Sequence, residues 1–181
     1  MAILGTSIRG VQLVKPMRHE DTRGEFCEAF RASWFPGGRQ WVQWNVSRSK
    51  AGVLRGMHFH RLQTDYWWLA DGSIRVGLVD LRPESLTVRQ ATCLELDSDD
   101  PMGLIIPPGV LHGYRALRDA VVMYLMDQEY SGADEYGVRW DDAALGLPDD
   151  WRAGPPPVLS PRDAAAPTLG EVLGQHGRSA H

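Results

Sequence analysis

An all-β sandwich or barrel is the fold class this sequence predicts, and three observations predict it. Short apolar runs of strand length recur along the chain with turn residues between them. No helical pattern of 10–15 residues separates those runs, so a βαβ organisation is excluded. Nineteen Gly, 12 Pro and seven Trp among 181 residues mark a turn-rich β protein. The expected strands are Val11–Val14, Glu25–Phe30, Trp41–Ser47, Tyr66–Ala70, Ser73–Leu81, Ala91–Leu96, Leu104–Ile106 and Val121–Met126. Ser73–Leu81 alternates, with Ile74, Val76 and Leu78 on one face and Arg75, Gly77 and Val79 on the other. Asp71-Gly72 is a hairpin signal and is expected to join it to Tyr66–Ala70. Trp67 and Trp68 are adjacent, so on a strand they face opposite sides and one of them is placed to line a cavity. Helix is expected only at Asp141–Leu145 and Thr168–Leu173, near the C-terminus.

The chain is read as one domain, residues 1–181, in which 148–181 form a Pro-rich strap rather than a second unit. Pro148, Pro155-Pro156-Pro157, Pro161 and Pro167 favour extended backbone there. Gln175–His181 are expected to fray. A chain of this length buries roughly 70% of its unfolded surface and needs no covalent staple. Nineteen Lys+Arg against 23 Asp+Glu give −4, the wrong sign for a nucleic-acid partner. Two cysteines, Cys27 and Cys93, have no CxxC spacing, which excludes a disulfide framework and a cysteine-based zinc module. No apolar run approaches ~20 residues, so no membrane-spanning helix is expected. The first residues lack the pattern of a secretory signal, and the expected location is the cytoplasm.

The chemistry concentrates in Gly52–Gly72, GVLRGMHFHRLQTDYWWLADG. His58 and His60 are two apart, Asp65 follows a short turn, and Pro107-Pro108-Gly109 leads to His112. The two stretches resemble the paired motifs of cupins: Gly, His-x-His, an acid and Gly, then Pro-x-Gly-x-x-His. The resemblance implies a cupin-type jelly roll, with short helices near the C-terminus. A lone histidine is more often a satisfied core or surface residue; three in two matched motifs reverse that balance.

Further ordered motifs narrow the resemblance. They are Asp21-Thr22-Arg23-Gly24-Glu25-Phe26, Gln43-Trp44-Asn45-Val46-Ser47, Gly52-Val53-Leu54-Arg55-Gly56-Met57-His58, Val79-Asp80-Leu81-Arg82, His112-Gly113-Tyr114, Gln128-Glu129-Tyr130 and Leu159-Ser160-Pro161-Arg162-Asp163. From about Pro16 to about Val172 the chain resembles the dTDP-4-dehydrorhamnose 3,5-epimerase family of cupins. The resemblance implies an isomerase of deoxysugar biosynthesis that inverts C3, C5 or both of a nucleotide-linked, dTDP-type 4-keto-6-deoxyhexose. It implies a homodimer and no cofactor. Carbon beside a ketone is acidic, so inversion needs a base on one face and an acid on the other. An imidazole titrates near neutrality and suits the base. By resemblance His58 is that base, Asp163 its partner and Tyr130 the opposing acid. Substrate contacts carried over are Arg23, Phe26, Glu28, Gln43, Asn45, Arg55, His112 and Arg162, with Arg55 meeting the diphosphate. Taken without the family, Asp163 reads as a helix cap, Tyr130 as a packed aromatic, and each arginine as a solvated charge.

One departure matters. The family carries a lysine seven residues before the hairpin glycine, where it is credited with stabilising the enolate; counting back from Gly72 gives Asp65. A unit charge at 4 Å in an effective dielectric of 20 is worth about 4 kcal/mol, so the reversal of sign is consequential. Three readings stay open. In the first, the chain is an epimerase, with Arg61 or a backbone donor replacing the lysine. In the second, His58, His60, Asp65 and His112 hold one divalent transition metal, and the chain is a metal-dependent isomerase or oxygenase. In the third, the chain binds sugar nucleotides without catalysis.

Overall fold

A computed structural model describes residues 1–35 and 39–177. In chain order the strands are β1 (Ala2–Gly5), β2 (Gln12–Lys15), β3 (Arg18–Asp21), β4 (Gly24–Cys27), β5 (Gln43–Ser49), β6 (Leu54–Phe59), β7 (Asp65–Asp71), β8 (Ser73–Asp80), β9 (Ala91–Asp97), β10 (Gly103–Ile106), β11 (Val110–Ala116), β12 (Ala120–Met126) and β13 (Tyr136–Gly137). Two short helices follow, α1 (Pro161–Ala164) and α2 (Leu169–Gly177). The strands form a six-stranded sheet ordered β1-β2-β10-β7-β12-β5, a five-stranded sheet ordered β13-β6-β11-β8-β9, and a separate β3-β4 hairpin. Every pairing between these strands is antiparallel. The expected all-β sandwich is therefore present.

The inner faces of the two sheets make the main core. Trp67 and Leu69 of β7, Leu104 and Ile106 of β10 and Val122 of β12 meet Ile74, Val76 and Leu78 of β8 and Tyr114 of β11. The alternation read in β8 is thus real, yet both of its faces are buried. The C-terminal segment covers the outer face. Leu145, Leu147, Trp151, Leu169 and Val172 pack on Leu54, Met57, Phe59, Val79 and Leu111. Trp151 is fully buried, and its indole lies over Gly77, where a Cβ would sit 3.0 Å from the ring. The indole N–H donates to the Trp140 carbonyl at 2.8 Å. Arg115 donates to the carbonyls of Ala153, at 2.9 Å, and Pro155. These contacts join the C-terminal segment to the five-stranded sheet. On the outer face of the other sheet, Phe30, Phe35, Trp41 and Tyr66 form a ring cluster with centroids between 5.4 and 6.1 Å apart.

Several local expectations need correction. Asp71-Gly72 does not close a hairpin: β7 pairs β10 and β12, whereas β8 pairs β9 and β11 in the opposite sheet. The dipeptide is a corner between sheets. Gly72 has φ +88°, and a Cβ there would lie 2.0 Å from the Asp119 carbonyl oxygen. Asp141–Leu145 contains a 3₁₀ turn at Ala143–Leu145, with the Asp142 side chain accepting from the Ala144 N–H. β1, β3, β6, β11, β13 and α1 had no expected counterpart as elements. Thr168–Leu173 opens α2; of the segment expected to fray, residues 178–181 lie outside the described residues.

Candidate active site

β6 and β11 pair with His58 opposite His112, and a bulge in the register falls just after His112. His112 belongs to β11, the strand that follows the Pro107-Pro108-Gly109 turn. His60 lies one residue past β6. Its Nδ1 bonds to the Asp134 carbonyl at 2.8 Å, and the Asp134 carboxylate accepts from the N–H groups of Arg61 and Leu62 at 2.9 and 3.1 Å. That loop therefore holds His60 in place. The ring centroids of His58 and His112 are 4.5 Å apart, those of His58 and His60 5.3 Å. Asp65, buried at the start of β7, accepts from Gln63 Nε2 at 2.6 Å and Trp67 Nε1 at 3.4 Å. One ligand atom from each of His58, His60, Asp65 and His112 lies within 4.8 Å of the others.

Two hollows meet at this cluster. The inner one, of about 130 Å³, is lined by Asn45, Arg55, His58, His60, Asp65, Trp67, Tyr130 and Glu135 among others. The outer one is lined by His58, Tyr130, Glu135, Arg162 and Asp163 among others. Thus Trp67, not Trp68, is the cavity tryptophan; Trp68 packs on the outer aromatic cluster.

The charges around His58 set its state. Burial, then the neighbouring His112 and His60, push its pKa down to about 3, although Glu135 and Asp65 pull the other way. The ring is neutral and carries a lone pair for a proton. For Asp65, burial raises the pKa, but the nearness of His112, with help from His60 and Gln63, outweighs it and leaves the carboxyl below its ordinary value. Asp65 is an anion at neutral pH and cannot itself stabilise an enolate.

The other residues carried over by resemblance divide into four groups, apart from His112, which is buried and lines neither hollow. Arg55 and Asn45 line the inner hollow. Arg55 is aimed by Nε donating to Ser49 Oγ at 2.9 Å and Nη2 donating to the Arg48 carbonyl at 3.1 Å. Gln43 supports the site rather than lining it: its Oε1 accepts from the Tyr130 N–H at 2.8 Å and its Nε2 donates to Asn45 at 3.1 Å. Asp163 and Arg162 line the outer hollow. Among the described residues no hydrogen bond joins Asp163 to His58. The helix-cap alternative for Asp163 is corrected too, because Ser160 caps α1 and accepts from the Asp163 N–H at 3.1 Å. Arg23, Phe26 and Glu28 lie elsewhere, on and beside the β3-β4 hairpin. Arg23 and Phe26 line one surface hollow, Phe26 and Glu28 another, and neither hollow shares a residue with the histidine cavity. Arg61 does not replace the lysine; its guanidinium lies over the Tyr136 ring, 4.9 Å from the centroid, outside the inner hollow.

Glu135 escaped the sequence reading. Its carboxylate takes a two-pronged pair from Arg162, Nη2 to Oε1 at 2.6 Å and Nη1 to Oε2 at 3.0 Å. It also bonds Tyr130, and that hydrogen bond and charge raise the phenol above its ordinary value. Burial pushes Glu135 up, but Arg162, His58 and Tyr130 together hold it below the usual carboxylate range. The signal available in the sequence was an acidic pair, Asp134-Glu135, a few residues beyond Tyr130.

The family model described as dTDP-4-dehydrorhamnose 3,5-epimerase matches residues 5–171. A dTDP-4-dehydrorhamnose 3,5-epimerase from Salmonella typhimurium is 35% identical over 181 residues, covering 96% of this chain and 98% of its own. Two solved structures share the fold. The dTDP-6-deoxy-D-glucose-3,5-epimerase of Legionella pneumophila, in complex with dTDP-4-keto-L-rhamnose, superposes with a TM-score of 0.88 at 30% identity, over 96% of this chain and 95% of that one. A 3'-monoepimerase from Streptomyces bikiniensis, in complex with dTDP-quinovose, superposes with a TM-score of 0.86 at 30% identity, over 96% and 90%.

Proposed function

The chain belongs to the dTDP-4-dehydrorhamnose 3,5-epimerase family, and from that membership we propose that it inverts C3, C5 or both of a dTDP-linked 4-keto-6-deoxyhexose. The observation that carries the proposal is that His58, Tyr130 and Glu135 line both hollows, so a ring at their junction meets all three. The inner hollow, about 130 Å³, is well below the ~300 Å³ at the lower end of small-molecule sites. It therefore takes the sugar end, and the nucleotide lies toward open surface, with Arg55 as the inner cation for the diphosphate.

In the reaction His58 removes the proton beside the ketone and Tyr130 returns one from the other face. The neutral imidazole and the protonated phenol both have the required starting state. Each proton transfer of this kind is worth about 10²–10⁴-fold. Glu135 holds the Tyr130 hydroxyl, and Arg162 holds Glu135. Asp163 is assigned as the partner of His58, with which it lines the outer hollow. Neither proton transfer requires a redox cofactor.

Arg23, Phe26 and Glu28 are assigned to a second copy's cavity in a homodimer. Their exposure in one chain supports this: Phe26 on β4 is 66% accessible, and Trp44 and Val46 on edge strand β5 are similarly open. A cytoplasmic location agrees with two unpaired cysteines, Cys27 and Cys93. Among the described residues no helix is long and apolar enough to cross a membrane.

The test is direct. Incubation with dTDP-4-keto-6-deoxyglucose, followed by NMR of the sugar ring, should show inversion at one or both carbons. Unchanged sugar after many enzyme equivalents would remove the proposal. Sedimentation giving the mass of one chain at micromolar concentration would remove the dimer.

A further inference from the structure

Buried polar atoms in folded proteins have partners almost without exception. His112, whose ring packs against His58 and Trp67, breaks that rule. Its Nδ1 lies 2.9 Å from the Val110 carbonyl oxygen, and only an N–H can bond a carbonyl. The proton is therefore on Nδ1, and Nε2 bears a lone pair in the neutral ring. That Nε2 is buried and has no hydrogen-bond partner. It faces Asp65 Oδ2 at 3.3 Å, a lone pair against a carboxylate oxygen.

His60 repeats the arrangement. Nδ1 donates to the Asp134 carbonyl at 2.8 Å, which leaves Nε2 as its lone-pair atom. Asp65 is held from outside by Gln63 and Trp67. Three side chains are thus pinned from behind, and the four-residue cluster that includes them converges to within 4.8 Å. A proton on His112 would relieve one opposed pair and leave His60 unused. A cation among the donors serves all of them. An imidazole whose far nitrogen donates to a backbone carbonyl is also the arrangement that orients metal-bound histidine. Around a tetrahedral ion with bonds of about 2.0–2.2 Å, donors stand roughly 3.3–3.6 Å apart, so the cluster closes by about an ångström.

We infer that His60, Asp65 and His112 form a binding site for one divalent transition-metal ion, with His58 as an exchangeable fourth donor. Imidazole and carboxylate donors favour Zn, Fe, Mn, Co or Ni over Mg or Ca. His58 differs from the other three: it is only partly buried, it lines both hollows, and among the described residues no hydrogen bond fixes its ring. Metal binding does not depend on the epimerase reading. Its role does: there, the ion supplies positive charge beside the ketone oxygen, where Asp65 alone brings the wrong sign, while His58 stays available for the proton.

The experiment is calorimetric titration of the full chain, purified without a polyhistidine tag and stripped with chelator, using Zn²⁺ and separately Co²⁺. The expected result is one ion per chain with micromolar or tighter Kd, and a Co²⁺ visible absorption band. Asp65→Asn and His60→Gln should each weaken binding at least 100-fold, while His58→Asn weakens it less than 10-fold. His60 sits outside any strand, so His60→Gln remains informative if Asp65→Asn does not fold. No saturable uptake of either ion overturns the inference. So does uptake that survives both variants, which would mark an adventitious site. Loss in His58→Asn as large as in Asp65→Asn overturns the exchangeable role. Metal is titrated without substrate: an inert sugar with intact metal binding would sink the epimerase reading alone, and epimerisation without metal uptake would sink the site alone.

Discussion

Replacing Glu135 with glutamine removes one negative charge and leaves the shape. In the structure that carboxylate binds Arg162 with two contacts at 2.6 and 3.0 Å and holds the Tyr130 hydroxyl. The Arg162 side chain is 56% exposed, so the ion pair adds little to folding, under about 1 kcal/mol. The effect on rate is larger. A charge-assisted hydrogen bond is worth about 1.5–3 kcal/mol, so a Tyr130 that loses its anionic anchor should turn over about 10–100-fold more slowly. KM should change little, because Tyr130 acts on the ring and not on the nucleotide. The pH profile adds a second readout. Glu135 raises the phenol pKa, so the alkaline limb of kcat should move to lower pH in Glu135→Gln. The assay is NMR-followed epimerisation across pH 6–10.5 (roughly, within the reach of a tyrosine acid), with urea unfolding in parallel. A kcat loss matched by a large loss of stability, or an unmoved alkaline limb, would refute the reasoning.

Other outcomes follow from the same structure. Arg55→Ala should weaken dTDP binding about 10–100-fold while kcat changes little, and the remaining affinity should depend less on salt; isothermal titration at two salt concentrations checks it. Trp151→Ala leaves a hole over Gly77 and should cost about 3–5 kcal/mol, read by chemical denaturation, with a Tm drop of roughly 6–20 °C. Asp80 is buried, and although burial raises its pKa, hydrogen bonds from Arg82, Ser85 and Thr87 hold it well below the ordinary value. Its contribution is therefore complete above pH ~4 and is lost as pH falls below that, at about 1.4 kcal/mol per pH unit. Asp80→Asn should flatten that part of the acid-stability curve, and an unchanged slope would contradict the assignment.

Much of the fold was legible because period-2 patterning survives in sequence. β8 and β12 were found to within one or two residues, β8 because Ile74, Val76 and Leu78 alternate along it and β12 because it is a continuous apolar run of strand length. β11 was not, because every residue in Val110–Ala116 is buried and includes His, Gly and Arg, so no alternation is visible. The Asp71-Gly72 corner was misread since a tight turn states only local geometry; which sheet receives the next strand is decided by tertiary packing. At the site, the His58–His112 neighbourhood followed from motif spacing. Glu135 did not, because its role comes from contact with Tyr130 and with Arg162, 27 residues away in the chain. The hairpin residues Arg23 and Phe26 carried a motif but no indication that one chain would leave them outside the cavity.

The central claim is that His58 and Tyr130 move protons on opposite faces of one sugar ring. Solvent-deuterium incorporation into dTDP-4-keto-6-deoxyglucose, read by NMR alongside configuration, tests it with two variants. His58→Asn should incorporate no deuterium, whereas Tyr130→Phe should still exchange through His58 but yield little inverted sugar. Deuterium uptake at the normal rate in His58→Asn, or full inversion in Tyr130→Phe, would contradict the account.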